Sequence, residues 1–138
     1  MRLQLKYPPT VENAAKFAAD MVVPAAEISG VDLDYSVASL QAVDDIIEGM
    51  RQDGCIAEDI AETLFGFGCY VGEVFVRNAG GKWRDAAETS MAKLAGSLLV
   101  IELSGETFCN PIGKVFKRLE NGEEDSLPYF YQVFTTRE

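Results

Sequence analysis

Residues 56–83, IAEDIAETLFGFGCYVGEVFVRNAGGKW, decide how the rest of this chain must fold. Ile60, Leu64, Phe67, Val71, Val74 and Phe75 recur at three- and four-residue steps, which predicts a helix over Ile56–Asn78. Ala61, Phe65, Gly68, Gly72 and Val76 widen the apolar stripe to about half the circumference, beyond the roughly 100° arc of a surface helix. A helix of that kind needs cover on two sides, so it belongs at the centre of the molecule. Gly80-Gly81 ends it, and Lys82-Trp83-Arg84 begins a stretch with strand-like content.

Upstream, Thr10 is placed to cap a first helix with Val11, Ala14, Ala15, Ala18 and Val22 on one face, ending near Pro24. Ala25 to Tyr35 shows no sustained period and reads as a connector, in which Ile28, Val31 and Leu33 could form a short extended piece. Asp34 or Ser36 caps a second helix that buries Val37, Leu40, Val43, Ile47 and Met50. Gln41, Asp44, Asp45, Glu48 and Arg51 then point away, and Gly54 stops the helix.

Downstream, Leu98-Leu99-Val100-Ile101 within Ser97–Leu103 suits a buried strand, and Ser104-Gly105 a hairpin turn into Glu106-Thr107-Phe108. Asn110-Pro111 opens a helix with Ile112, Val115, Phe116 and Leu119 on one face until Asn121-Gly122. Leu127–Phe134 is aromatic-rich and reads as a last helix in preference to a strand. No repeat or linker divides the 138 residues. The expected fold is one α+β domain: N-terminal helices, a long central helix packed on a small antiparallel sheet, and C-terminal helices.

Composition excludes whole classes of chemistry. There is no histidine, which removes Ser-His-Asp and Cys-His catalysis, histidine-ligated zinc and the usual general base near neutral pH. The formal charge of -10, from 22 acids and 12 bases, opposes binding to nucleic acid or an anionic membrane and favours a basic protein partner; solubility alone also accounts for it. Cys55, Cys69 and Cys109 lack metal or disulfide spacing and read as free core thiols of a cytoplasmic protein. Met1–Lys6 lacks the apolar run of a secretory signal, and no segment approaches the length of a membrane span. No pattern implies a cofactor. Asp32-x-Asp34 lacks the rest of a calcium loop, Glu58-Asp59 with Glu62 suits the polar start of the central helix, and Glu120–Asp125 reads as a solvated turn open to a basic partner.

One cluster stands out as a candidate site. Tyr70, Glu73 and Arg77 share a side of the central helix, and Asn78, Lys82, Trp83 and Arg84 follow around the Gly80-Gly81 corner. Such residues could form a polar pocket with an aromatic wall that holds a carboxylate or peptide group through Arg77. The alternative is a surface ion pair Glu73–Arg77 and a core tryptophan. Gly66-x-Gly68-x-x-x-Gly72 has neither the strand-to-helix context nor the lysine of a phosphate loop. Gly68 and Gly72 are better used to let another backbone or ring approach closely, which offsets a cost of up to ~1 kcal/mol each in a helix. Cys69, mid-helix among apolar residues, is a poor nucleophile.

The pattern Gly68-x-Tyr70-x-Gly72-Glu73-Val74-x-x-Arg77-Asn78-x-Gly80-Gly81-x-Trp83 resembles that of small bacterial proteins grouped as domains of unknown function. Asn110-Pro111 and Asn121–Leu127 are similar to the tail of the same kind of sequence, so the resemblance covers the C-terminal half. It implies a bacterial cytoplasmic domain with a helix followed by a short sheet, and it carries no activity. Three functions are then in view. The first is a non-enzymatic interaction module, for instance an immunity-type protein neutralising a basic toxin. The second is a small enzyme with Glu73 as acid or base and Arg77 and Lys82 holding an anionic substrate. The third is a self-associating protein using Tyr129-Phe130-Tyr131 and Phe134.

Overall fold

The computed structural model describes residues 4–92, 99–104 and 107–136. It is a small α+β domain built around the helix foreseen at its centre. Helices α1 (Ala14–Ala19) and α2 (Val22–Ser29) lead to α3 (Ser39–Gln52) and the central α4 (Ala61–Ala79). Strands β1 (Lys82–Asp85), β2 (Leu99–Leu103) and β3 (Thr107–Cys109) precede α5 (Pro111–Asn121) and α6 (Leu127–Thr135). The sheet has the order β1-β2-β3, antiparallel throughout, with Trp83 opposite Ile101 and Ile101 opposite Cys109.

Every residue of α4 from Leu64 to Phe75 is buried, because α1 and α5 pack against it and the sheet and α6 close over it. The glycines permit those approaches. A methyl group at Gly68 would lie 2.5 Å from the Ile112 Cα of α5, and one at Gly72 would overlap the Trp83 ring. Gly80 takes the left-handed conformation (φ 71°) that a helix-ending residue without a side chain adopts at no steric cost, and the Gly80 and Gly81 N–H groups both reach back to the Phe75 carbonyl. Ile56 lies outside α4 and is exposed; a 3₁₀ turn, Ala57–Ile60, precedes the helix proper.

Several expectations need correction. The first helix does not run unbroken to Pro24, and Ala25–Tyr35 is not all connector: α1 stops at Ala19 and α2 carries the chain through to Ser29. Pro24 is the third residue of α2, where a backbone N–H has no helical partner to lose, so proline starts this helix instead of ending one. Ile28 is exposed, while Leu33 is buried. Thr10 caps through its carbonyl, which accepts from Asn13 N–H, and not through its side chain. Val37 lies in the turn before α3 and is 41% exposed. The Ser36 hydroxyl accepts from Ser39 N–H there.

The larger correction concerns charge. Asp44 and Glu48 do not both point to solvent: Asp44 is 6% exposed and faces Arg118 of α5, itself 2% exposed. Arg118 donates from Nε and Nη2 to the two Asp44 oxygens at 2.9 and 3.1 Å, and from Nη1 to Glu48 at 2.8 Å. Asp44 Oδ1 also accepts the Leu127 N–H at the start of α6 at 2.9 Å. Asp125 likewise leaves the solvated turn assigned to it, pairing with Lys114 at 2.6 Å and with Asn121, and these bonds hold its carboxyl below the usual carboxylate range. Glu120, Glu123 and Glu124 are exposed as expected. Leu127–Thr135 is a helix, and it turns Phe130 and Tyr131 inward onto Phe75, leaving Tyr129 and Val133 outside. Ser97, Leu98, Gly105 and Glu106 lie outside the described residues.

Candidate functional site

Five of the six candidate residues do come together, around a residue the sequence did not single out. Tyr35, in the turn before α3, has φ 67°, a left-handed conformation that bulky residues rarely adopt and that costs on the order of 1 kcal/mol or more. Its backbone N–H donates to the Tyr70 hydroxyl at 2.8 Å, and its carbonyl accepts from Asn78 Nδ2 at 2.8 Å. Asn78 Nδ2 also donates to the Val74 carbonyl at 2.9 Å. The Arg77 guanidinium lies 3.6 Å above the Tyr35 ring centroid, and the Tyr35 and Tyr70 rings stack at 4.9 Å with a 31° tilt. Tyr70 is fully buried, and its hydroxyl is 2.6 Å from Ser39 Oγ. Because Ser39 spends its single hydroxyl hydrogen on the Ser36 carbonyl, Tyr70 is the donor to Ser39.

Glu73 is one step further in, 5% exposed. Oε2 accepts from Trp83 Nε1 at 2.9 Å, and Oε1 faces Arg77 Nε at 3.4 Å. The indole reaches it only because Gly72 leaves room for the ring. Successive strand residues face opposite sides of a sheet, so Trp83 points at α4 while Lys82 and Arg84 point away; Arg84 bonds Glu102 across the ladder at 2.5 Å, and Lys82 is exposed. Lys82 therefore does not join the cluster, a correction that follows from the two-residue period of β1. Burial pushes the Tyr35 and Tyr70 phenols above their ordinary values.

The arrangement is a latch on the chain's own turn. Arg77, read as a hand for a foreign carboxylate, holds Glu73 and the Tyr35 face. Asn78, read as a ligand group, holds two backbone carbonyls. A cavity of about 190 Å3 reaches Asn78, Ala79, Leu103, Tyr131, Phe134 and Thr135, and Glu73 is not part of its wall. Tyr35 was missed because its role lies in backbone conformation, for which the sequence carries no residue-type signal when the residue is not glycine.

The cysteines are placed as core residues in two cases of three. Burial pushes the Cys69 and Cys109 thiols up to about 12, with Glu73 adding to the shift at Cys69, while Cys55 is partly exposed. Iodoacetamide near pH 8 is accordingly expected to modify Cys55 alone in the folded protein and all three cysteines in denaturant, as peptide mass mapping would read. Equal labelling of Cys69 in the native state would contradict its burial. Among the described residues no cluster of acids and cysteines is placed to hold a metal, and no helix is long and apolar enough to cross a membrane. Comparison with family models, curated proteins and solved structures gives no match for this chain.

Proposed function

We propose that this α+β domain is a non-enzymatic interaction module that binds a basic protein partner. The observation that supports this most is where the negative charge lies. Ten of the 22 acids and only one of the 12 bases fall between residues 27 and 62. Of those ten, Asp44 and Glu48 are engaged with Arg118, while Glu27, Asp32, Asp34, Asp45, Asp53, Glu58, Asp59 and Glu62 are exposed. A predominance of exposed acids of this kind raises the encounter rate with a cationic partner and repels nucleic acid. The enzyme reading has less behind it: both Glu73 oxygens face internal donors, and Lys82 lies on the other side of β1 from Trp83.

Affinity capture from the host cell at low and at high salt tests the proposal, followed by reconstitution with the purified candidate. The expected result is a protein of high isoelectric point that is retained at low salt, released at high salt, and lost when Asp45, Asp53, Glu58 and Asp59 are changed to their amides. A partner indifferent to salt and to those four changes would overturn it.

A further inference from the structure

We infer that the groove between α2 and α3 is the docking seat for a basic amphipathic helix of the partner, an inference that rests on the basic-partner reading and gives it a location. The groove is open to solvent and has a volume of about 520 Å3. Ile28, Val31, Ile46 and Met50 supply apolar wall, and Asp45 and Asp53 stand on its lining from α3 and its end. Ile28 is 84% exposed, the highest exposure among the large apolar side chains of the described residues.

Gly49 adds a separate observation. It sits in the interior of α3 and lines the groove, and a Cβ built on it would meet no atom of the described residues within 4 Å. Gly68 and Gly72 are explained by what presses on them; Gly49 is not. Glycine in a helix interior sacrifices stability, and here no contact among the described residues offsets the loss. It does leave the floor of the groove bare, so that a helix backbone can come close.

Charge selects the occupant. The groove's lining carries Asp45 and Asp53 and no basic residue, and Glu27 and Asp32, both exposed, flank it in sequence, so its rim favours lysine or arginine on either side of an aliphatic stripe. A helix with aliphatic residues three and four apart and basic flanks matches both features. A second copy of this chain, carrying -10, would bring like charge to the same rim.

The probe is a Leu/Lys amphipathic peptide about 18 residues, or five turns, long, set beside a scrambled isomer of equal charge with no apolar face. Binding to the whole protein is read by fluorescence anisotropy, with Gly49→Leu and Ile46→Asn as variants. Gly49→Leu fills the groove and raises helix propensity, so its thermal midpoint is expected to equal or exceed the parent's, which separates blockage from unfolding. The proposal expects the amphipathic peptide to bind at least about tenfold more tightly than its isomer, and each variant to remove that advantage without changing the isomer's weak binding. If both peptides bind equally, or if Gly49→Leu leaves the preference intact, the groove is not the seat, while the basic-partner reading survives. If neither binds at low salt, both readings fail. A dimer by sedimentation that Gly49→Leu dissociates would give the groove to a second copy and overturn the assignment.

Discussion

Arg118→Met is expected to lose about 3–5 kcal/mol, because it leaves the Asp44 carboxylate in the interior without its counter-charge. A domain of this size has roughly 5–15 kcal/mol in total, so the variant should unfold at a midpoint at least about 10 °C lower. The pair itself need not be strongly stabilising. In the Asp44→Asn, Arg118→Met double variant no buried charge is stranded and the amide oxygen can still accept from Leu127 N–H, so it should lose less than Arg118→Met alone. Urea titration of the parent, both single variants and the double decides this, and additive losses would show that the two side chains do not act together.

The same network has a pH signature. Hydrogen bonds from Arg118 and then Gln52 hold the Glu48 carboxyl below its ordinary value. A carboxyl lowered in the folded state contributes stability that is present above its unfolded value, near 4.5, and that is lost as pH falls through the folded one. The gap between parent and Arg118→Met should therefore narrow below about pH 4.5.

Gly72→Ala is expected to cost about 3 kcal/mol although it adds only a methyl group. The new carbon would overlap Cζ2 and Cη2 of Trp83, so the indole must move and Glu73 loses the donor at Oε2. Trp83 is the only tryptophan, so its emission reports the displacement directly. Trp83→Phe removes the N–H while keeping a ring, and should cost less than Gly72→Ala. The two changes together should cost less than their sum, since both break the same contact. A Gly72→Ala protein with native emission and native stability would show that α4 and β1 can separate freely.

How far these features could be read from the sequence depended on what kind of physics encoded them. The central helix, its glycine stop, the three strands and the last two helices follow from periodicity and from residues with narrow conformational preferences, and they were legible. Gly68 and Gly72 were legible as close approaches because glycine in a helix interior has few other uses. Pro24 misled because proline both ends helices and tolerates their first turn, and nothing local distinguishes the two. Asp44 misled because a single apolar stripe was assigned to α3, whereas α5 and α6 cover a wider arc, and its partner Arg118 lies 74 residues away. Within the candidate site, the grouping of Tyr70, Glu73, Arg77, Asn78 and Trp83 was legible, but what they hold was not. Tyr35 enters through its backbone angle, and Lys82 leaves through the alternation of a strand whose exact start the sequence left open.

The Asp44 network also orders events at the ribosome. Synthesis proceeds from the N-terminus at roughly 5–20 residues per second, and Asp44 emerges well before Arg118 and Leu127, the groups 74 and 83 positions later that satisfy it. Until they arrive, α3 has an acid on the face it must bury, and α5 and α6, which cover that face, have not yet been made. The nascent first half is thus kept from closing prematurely, and the finished molecule locks only when nearly the whole chain is free to pack.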